Sequence, residues 1–144
     1  MTERTIRSIV EGQELITAAA GIAVTEAAEM MRQANVGAIM VVEEDKLVGV
    51  FTERDALFRV LAQGLDGRTT RLMDVMTRDL RTVHPDDHFA QALYIMHEGR
   101  FRHVPVVEDG RLVGMVSARD ALGPELEGFV YELLRQEQID EVLA

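Results

Sequence analysis

Residues 41–57 align without a gap, at an offset of 65, with residues 106–122. Ten of these 17 positions are identical, including Leu47-Val48-Gly49 against Leu112-Val113-Gly114 and Arg54-Asp55-Ala56-Leu57 against Arg119-Asp120-Ala121-Leu122. The same offset brings Thr17 to Thr82, Ala27 to Ala92 and Met31 to Met96. A sequence written twice folds as two similar halves, so the repeat constrains the architecture more than any local propensity does. At 144 residues, 47% of them hydrophobic, the chain holds one shared core more readily than two independent ones. A half of about 60 residues buries too little apolar surface to be comfortably stable alone. The two halves are therefore expected to cover each other's sheets.

Within each half the hydrophobic period changes in a fixed order. Ala27, Ala28 and Met31, and again Ala92, Leu93 and Met96, recur at helical spacing. Two short apolar runs follow, 38–42 and 47–51, joined by Glu43-Glu44-Asp45-Lys46; the copy repeats them around Glu108-Asp109-Gly110-Arg111. Such a pair reads as a strand hairpin. A second helix is predicted from Glu53 to about Ala62, with Ala56, Leu57, Val60 and Leu61 on one face and Gly64-Leu65-Asp66-Gly67 as its stop. Each half thus reads β-α-β-β-α, an α/β (α+β) fold, with repeat one over 1–68 and repeat two over 69–123.

Composition removes several function classes. Twenty-five acidic against 15 basic residues leave a net charge of −10, the wrong field for general nucleic-acid or anionic-membrane binding. With no cysteine there is no disulfide, thiolate metal site, iron–sulfur cluster or Cys nucleophile. The most apolar stretch, Leu15 to Val24, is about half a bilayer span, and Met1-Thr2-Glu3-Arg4 shows no signal pattern, so a cytoplasmic location is expected. His84 and His88 stand four apart among carboxylates, but the intervening Pro85 and Asp86 suggest a helix start that need not align the rings, and no metal site is expected. No nucleophile elbow, Walker loop or dinucleotide fingerprint is present, and no enzyme activity is expected.

The repeated chemistry lies at Thr52-Glu53-Arg54-Asp55 and Ser117-Ala118-Arg119-Asp120, each directly after a Gly-containing strand. An ionised Asp only accepts hydrogen bonds and can take them from both hydroxyls of a ribose diol. Thr52 and Ser117 fall at strand-to-helix junctions, where free backbone N–H groups favour an anion such as phosphate. Arg54, Arg119 and Arg102 add guanidinium forks that match phosphate oxygens. The same Thr/Ser-x-x-Asp spacing also has the form of a helix capping box, and one residue can fill both roles. Pro105, lacking an N–H, suits an edge or bulge entry to its strand and leaves backbone groups free.

Gly49-Val50-Phe51-Thr52-Glu53-Arg54-Asp55 and Gly114-Met115-Val116-Ser117-Ala118-Arg119-Asp120 resemble the Gly-x-x-Thr/Ser-x-x-Asp signature of the tandem cystathionine β-synthase (CBS) domain pair, or Bateman module. Arg102-His103-Val104-Pro105-Val106-Val107 and Leu72-Met73-Asp74-Val75-Met76-Thr77 support the resemblance, which spans about Ile6 to Leu122. It implies two repeats packed about a pseudo-twofold axis, with clefts that take AMP, ADP, ATP, NAD or S-adenosylmethionine as regulatory ligands. It implies a first site from Thr17, Ala38, Ile39, Thr52 and Asp55, and a second from Thr82, Val83, His103, Val104, Ser117 and Asp120. Because Gly37-Ala38-Ile39-Met40 stands where the second copy has Arg102-His103-Val104-Pro105, the first site is expected to be the poorer one. The resemblance further implies a homodimer and a response carried by another protein; the competing reading is an assembly module with empty clefts.

Residues 124–144 lie outside the repeat. Leu126, Phe129, Val130, Leu133 and Leu134 form an apolar stripe at helical spacing, with Pro124 suited to the first turn, so an amphipathic C-terminal helix is expected. Packing on its own module and docking across a dimer both fit that stripe.

Overall fold

The computed structural model describes residues 4–99 and 101–143, the side chains of 124 and 141–143 excepted. Residues 1–3, on which the expected lack of a signal pattern partly rests, and the Pro124 ring lie outside the described residues. The elements are α1 (Ile6–Val10), β1 (Thr17–Ala18), α2 (Val24–Ala34), β2 (Ala38–Glu43), β3 (Lys46–Thr52), α3 (Glu53–Asp55), α4 (Leu72–Val75), α5 (Phe89–Gly99), β4 (His103–Glu108), β5 (Arg111–Ser117) and α6 (Gly123–Leu143). One sheet has the order β1-β2-β3 and the other pairs β4 with β5.

The two hairpins are copies down to their irregularities. Ala38 pairs Thr52 as His103 pairs Ser117, and the register slips between Val41 and Val42 as it does between Val106 and Val107. Both turns have positive φ at their two central residues, Glu44 and Asp45 in one and Asp109 and Gly110 in the other. That is the twist a two-residue hairpin loop needs. The parallel pairing of Ala18 with Val41 recurs as a bridge between Val83 and Val106, so the first strand of repeat two is reduced to a single bridge.

The helices after the hairpins depart from expectation. After α3 the chain continues as a π-helix over Ala56–Leu61, with the Ala62 N–H donating to the Leu57 carbonyl. Its wider turn sends Val60 into the core and leaves Leu57 and Leu61 more than half exposed, so the predicted four-residue face is split. In repeat two a 3-10 turn over Ala118–Asp120 leads directly into α6, which takes the place of the repeat's last helix. Phe129 anchors α6 on its own module, with its ring edge-on to Tyr94 at 5.0 Å and to His97 at 6.1 Å. Arg4 donates to both Glu125 carboxylate oxygens, which holds the Glu125 carboxyl below the usual range. Leu126, Val130 and Leu134 remain exposed.

The core is built by exchange. Ile6 and Val10 of α1 pack with Phe89, Leu93, Met96, Val104 and Val116 of repeat two, whereas Leu72, Val75 and Met76 pack with Val24, Met31, Ile39 and Phe51 of repeat one. A third cluster, Ala38, Met40 and Val50 against Leu112 and Met115, joins the two sheets. The edges are tied in matching fashion. Val50 exchanges two backbone hydrogen bonds with Thr77, at 3.0 and 2.9 Å. At the equivalent Met115 the Gln13 side-chain amide takes the place of a strand, donating to the carbonyl and accepting from the N–H, both at 2.9 Å. No helix among the described residues is long and apolar enough to cross a membrane.

At Gly114 α1 is seated tightly on β5: a Cβ there would lie 2.6 Å from Val10 Cβ. At Gly49 the neighbour is the flexible Met76 side chain. Gly114→Ala is expected to cost about 1–3 kcal/mol in urea unfolding, and Gly49→Ala clearly less. Equal losses would contradict the tight seating of α1.

Candidate functional site

Two cavities flank the junction between the repeats, and each draws on both. The larger, about 850 Å³, is lined by Thr52, Glu53, Arg54, Asp55, Leu57, Phe58 and Arg59 of repeat one, by Thr77, Asp79, Leu80 and Arg81 from the start of repeat two, and by Phe101, Arg102, His103 and Pro105 further along it. The smaller, about 150 Å³, is lined by Ser117, Arg119 and Asp120 of repeat two with Gln13, Asn35, Val36 and Gly37 from the other half. Only the larger falls in the range of about 300–1,000 Å³ usual for small-molecule pockets.

This grouping differs from the one drawn within each repeat. Arg102, His103 and Pro105 stand across from Thr52 and Asp55 rather than serving Ser117 and Asp120 alone. The reason is geometric. In each hairpin the start of the first strand pairs with the end of the second, so His103 lies beside Ser117 on its own sheet while facing the opposite repeat's strand end. His103, Glu53 and Gly37 consequently line both cavities. The departure at residues 37–40 therefore impoverishes the smaller cavity, the one holding Asp120. Thr17, Ala38, Ile39, Thr82, Val83 and Val104 line neither cavity. Ala38, Ile39, Val83 and Val104 are buried in the core, and Thr17 is occupied in pairing with Met40.

Asp55 is the buried charge of the larger cavity, 6% exposed. Its carboxylate closes a capping box: the Thr52 N–H donates to Oδ2 at 3.0 Å, and the Asp55 N–H donates back to Thr52 Oγ1 at 3.1 Å. The Thr77 hydroxyl lies 3.2 Å from both carboxylate oxygens, and Arg59 Nε is 3.4 Å from Oδ1. Arg59 also donates to the Met76 carbonyl at 3.1 Å, fixing the wall. The Asp55 carboxylate thus caps the chain and lines the larger cavity at once. In the smaller cavity the Ser117 N–H donates to Asp120 Oδ2 at 2.7 Å, and at the offset of 65 the sequence has Gly12 and Pro124 in place of Thr77 and Arg59.

The cations are distributed unevenly. Arg54, Arg59, Arg81 and Arg102 line the larger cavity. At the offset of 65 their counterparts are Arg119, Pro124, Ile16 and Gly37, so only one is retained in the smaller. Arg81 pairs with Glu98 at 3.3 Å and Arg59 with Asp55, whereas the guanidiniums of Arg54 and Arg102 make no hydrogen bond or ion pair with other described residues. Burial pushes the His103 imidazole below its ordinary pKa; Arg119 and Arg102 lower it too, while Glu53 and Asp120 oppose the shift. Among the described residues no group of three or more His, Cys, Asp or Glu is placed to hold a metal ion.

The CBS domain family model matches this sequence twice, over residues 6–62 and 72–124. The chain belongs to the CBS-domain family. It is 39% identical over 104 residues to the mitochondrial CBS domain-containing protein CBSX3 of Arabidopsis thaliana, covering 69% of this chain and 50% of that protein. The chain thus spans half the length of that curated relative. Among solved structures it resembles the CBS domain protein PAE2072 from Pyrobaculum aerophilum complexed with AMP, with a TM-score of 0.78, 25% identity, and coverage of 89% and 99% of the two chains. It also resembles the CBS domain pair of protein MJ0100 in complex with 5′-methylthioadenosine and S-adenosyl-L-methionine, with a TM-score of 0.74, 30% identity, and coverage of 83% and 93%. The mixed α/β repeats and the C-terminal helix read from the sequence match this fold.

Glu53, Arg59, Thr77, Arg81 and Phe101 escaped the sequence reading. Glu53, Arg59 and Arg81 were nevertheless marked, because they break the repeat against Ala118, Pro124 and Ile16. Losing the Asp55 cap leaves the Thr52 N–H and the Thr77 hydroxyl unpaired. Asp55→Ala is expected to lower unfolding free energy by about 1.5–3 kcal/mol, and Asp120→Ala by less, in urea titrations. A larger loss at Asp120 would contradict this account of the two junctions.

Proposed function

We propose that the protein is a regulatory module that binds an adenosine-containing nucleotide in the larger cavity and passes its occupancy to a partner protein. The observation that carries this reading is the convergence, in one cavity of nucleotide size, of Thr52 and Asp55 from one repeat with Arg102, His103 and Pro105 from the other. Asp55 accepts from the ribose hydroxyls, and the unpaired Arg54 and Arg102 guanidiniums receive phosphate. AMP, ADP, ATP and NAD all carry both groups, and the ligands named for the CBS-pair structures are adenosine compounds. The module acts as a homodimer in the cytoplasm without chemistry of its own. Exposed apolar side chains stand at equivalent places after each hairpin, Leu57 and Leu61 on one and Leu122 and Leu126 on the other, and supply a surface for the second copy.

The test is a thermal-shift series with AMP, ADP, ATP, NAD and S-adenosylmethionine, alongside light scattering. A ligand at a hundred times its Kd raises stability by about 2.7 kcal/mol. Arg102→Ala is expected to weaken nucleotide binding about tenfold or more while leaving adenosine binding within twofold, since it removes a phosphate contact alone. A flat response to all five ligands would overturn the ligand reading in favour of an assembly module with empty clefts, and a one-chain mass would overturn the dimer.

A further inference from the structure

The wall between the two cavities holds a titratable group that has no counterpart in the repeat. His103 opens β4 with its backbone paired to Ser117, and its half-buried imidazole lines both cavities. At the offset of 65 it stands where the first repeat has Ala38, and Glu53, which shares the wall, stands where the second has Ala118. The charged groups around the ring come from three elements: Glu53 of α3, Arg119 and Asp120 of the turn before α6, and its own neighbour Arg102. Across the larger cavity lie Arg54, Asp55, Arg59, Asp79 and Arg81.

We propose that His103 is the residue through which the larger cavity reads the charge of its ligand: neutral in the free protein, it takes a proton from solvent when a phosphate group settles beside it, so affinity for a phosphate-bearing ligand rises as pH falls. This rests on the nucleotide reading of that cavity. In the free protein, burial and the two neighbouring guanidiniums hold the imidazole pKa down against Glu53 and Asp120. A dianion within about 4–6 Å raises such a group by about 1–3 units. The sign then follows from linkage. Above the raised, ligand-bound pKa the ring is neutral in both states and affinity is flat with respect to this group. Between the two pKa values binding takes up a proton, and affinity gains about tenfold for each pH unit lowered. Below the free-state pKa the ring is charged in both states and the gain is complete. The ligand's own phosphate, with its second pKa near about 6, loses charge in acid and works in the opposite direction, so the rise belongs to the near-neutral side. An uncharged nucleoside offers nothing to attract the proton, so its affinity does not gain in this way.

The experiment follows the His103 ring by NMR through a pH titration, in the free protein, with AMP and with adenosine, the signal being assigned from its loss in His103→Asn. AMP affinity is measured by calorimetry at pH 8.0 and 6.8 for both proteins. The expected result is an upward move of the ring pKa with AMP and none with adenosine. AMP affinity should increase about fivefold between those pH values in the wild type and stay flat in His103→Asn, whatever the variant's absolute affinity. An unmoved ring pKa while AMP shifts the amide signals of residues 52–55, or the same pH profile in His103→Asn, would overturn the proposal and leave the nucleotide reading standing. If AMP moves neither the ring nor those amides, both are overturned.

Discussion

Everything in this molecule depends on the exchange of short helices between its two halves. Neither half is complete by itself: Ile6 and Val10 fill the core of repeat two, and Leu72, Val75 and Met76 fill that of repeat one. Each half therefore contributes buried apolar area that the other cannot supply, which is the physical answer to a repeat of about 60 residues being too small to stand alone. The exchange also carries the chain past the opposite hairpin. On one side Thr77 extends the sheet through its backbone at Val50; on the other the Gln13 amide imitates a strand at Met115. The cavities open beside these ties, so the segments that close the core also help to wall the site.

Duplication gives two cavities of one plan, and divergence has specialised them. Both keep the hydroxyl-x-x-Asp junction, which caps the chain where a strand turns into a helix whether or not a ligand is present. The charged residues that line the cavities differ between the copies. Arg59, Arg81, Arg102 and His103 are replaced by Pro124, Ile16, Gly37 and Ala38 at the equivalent places, which removes positive charge; the two cavities measure about 850 Å³ and about 150 Å³. In a chain of net charge −10, the four arginines of the larger cavity are a local exception to the field of the whole protein.

The hairpins were legible in the sequence because two short apolar runs flank a short charged turn, and the strands over 38–43 and 46–52 follow those runs closely. The helices at α2 and α5 were legible for the same reason at the helical period. The π-helix at 56–61 was not, since widening one turn changes which of Leu57, Val60 and Leu61 faces inward without changing composition. The pairing of Thr52 and Asp55 with Arg102 and His103 was also hidden. A repeat shows which residues are equivalent but not which copy they face, and only the packing of one sheet against the other decides that. The list of positions where the copies disagree in charge would have pointed to the larger cavity.

The central claim is that the ligand site is made across the repeats rather than within one. A crystal structure of the protein with AMP tests it most directly. The account predicts ribose hydroxyls on Asp55 and phosphate beside Arg54 and Arg102 in the same cavity, with the smaller cavity empty of nucleotide. A ribose on Asp120 with the base framed by residues 102–105, leaving Asp55 untouched, would contradict it.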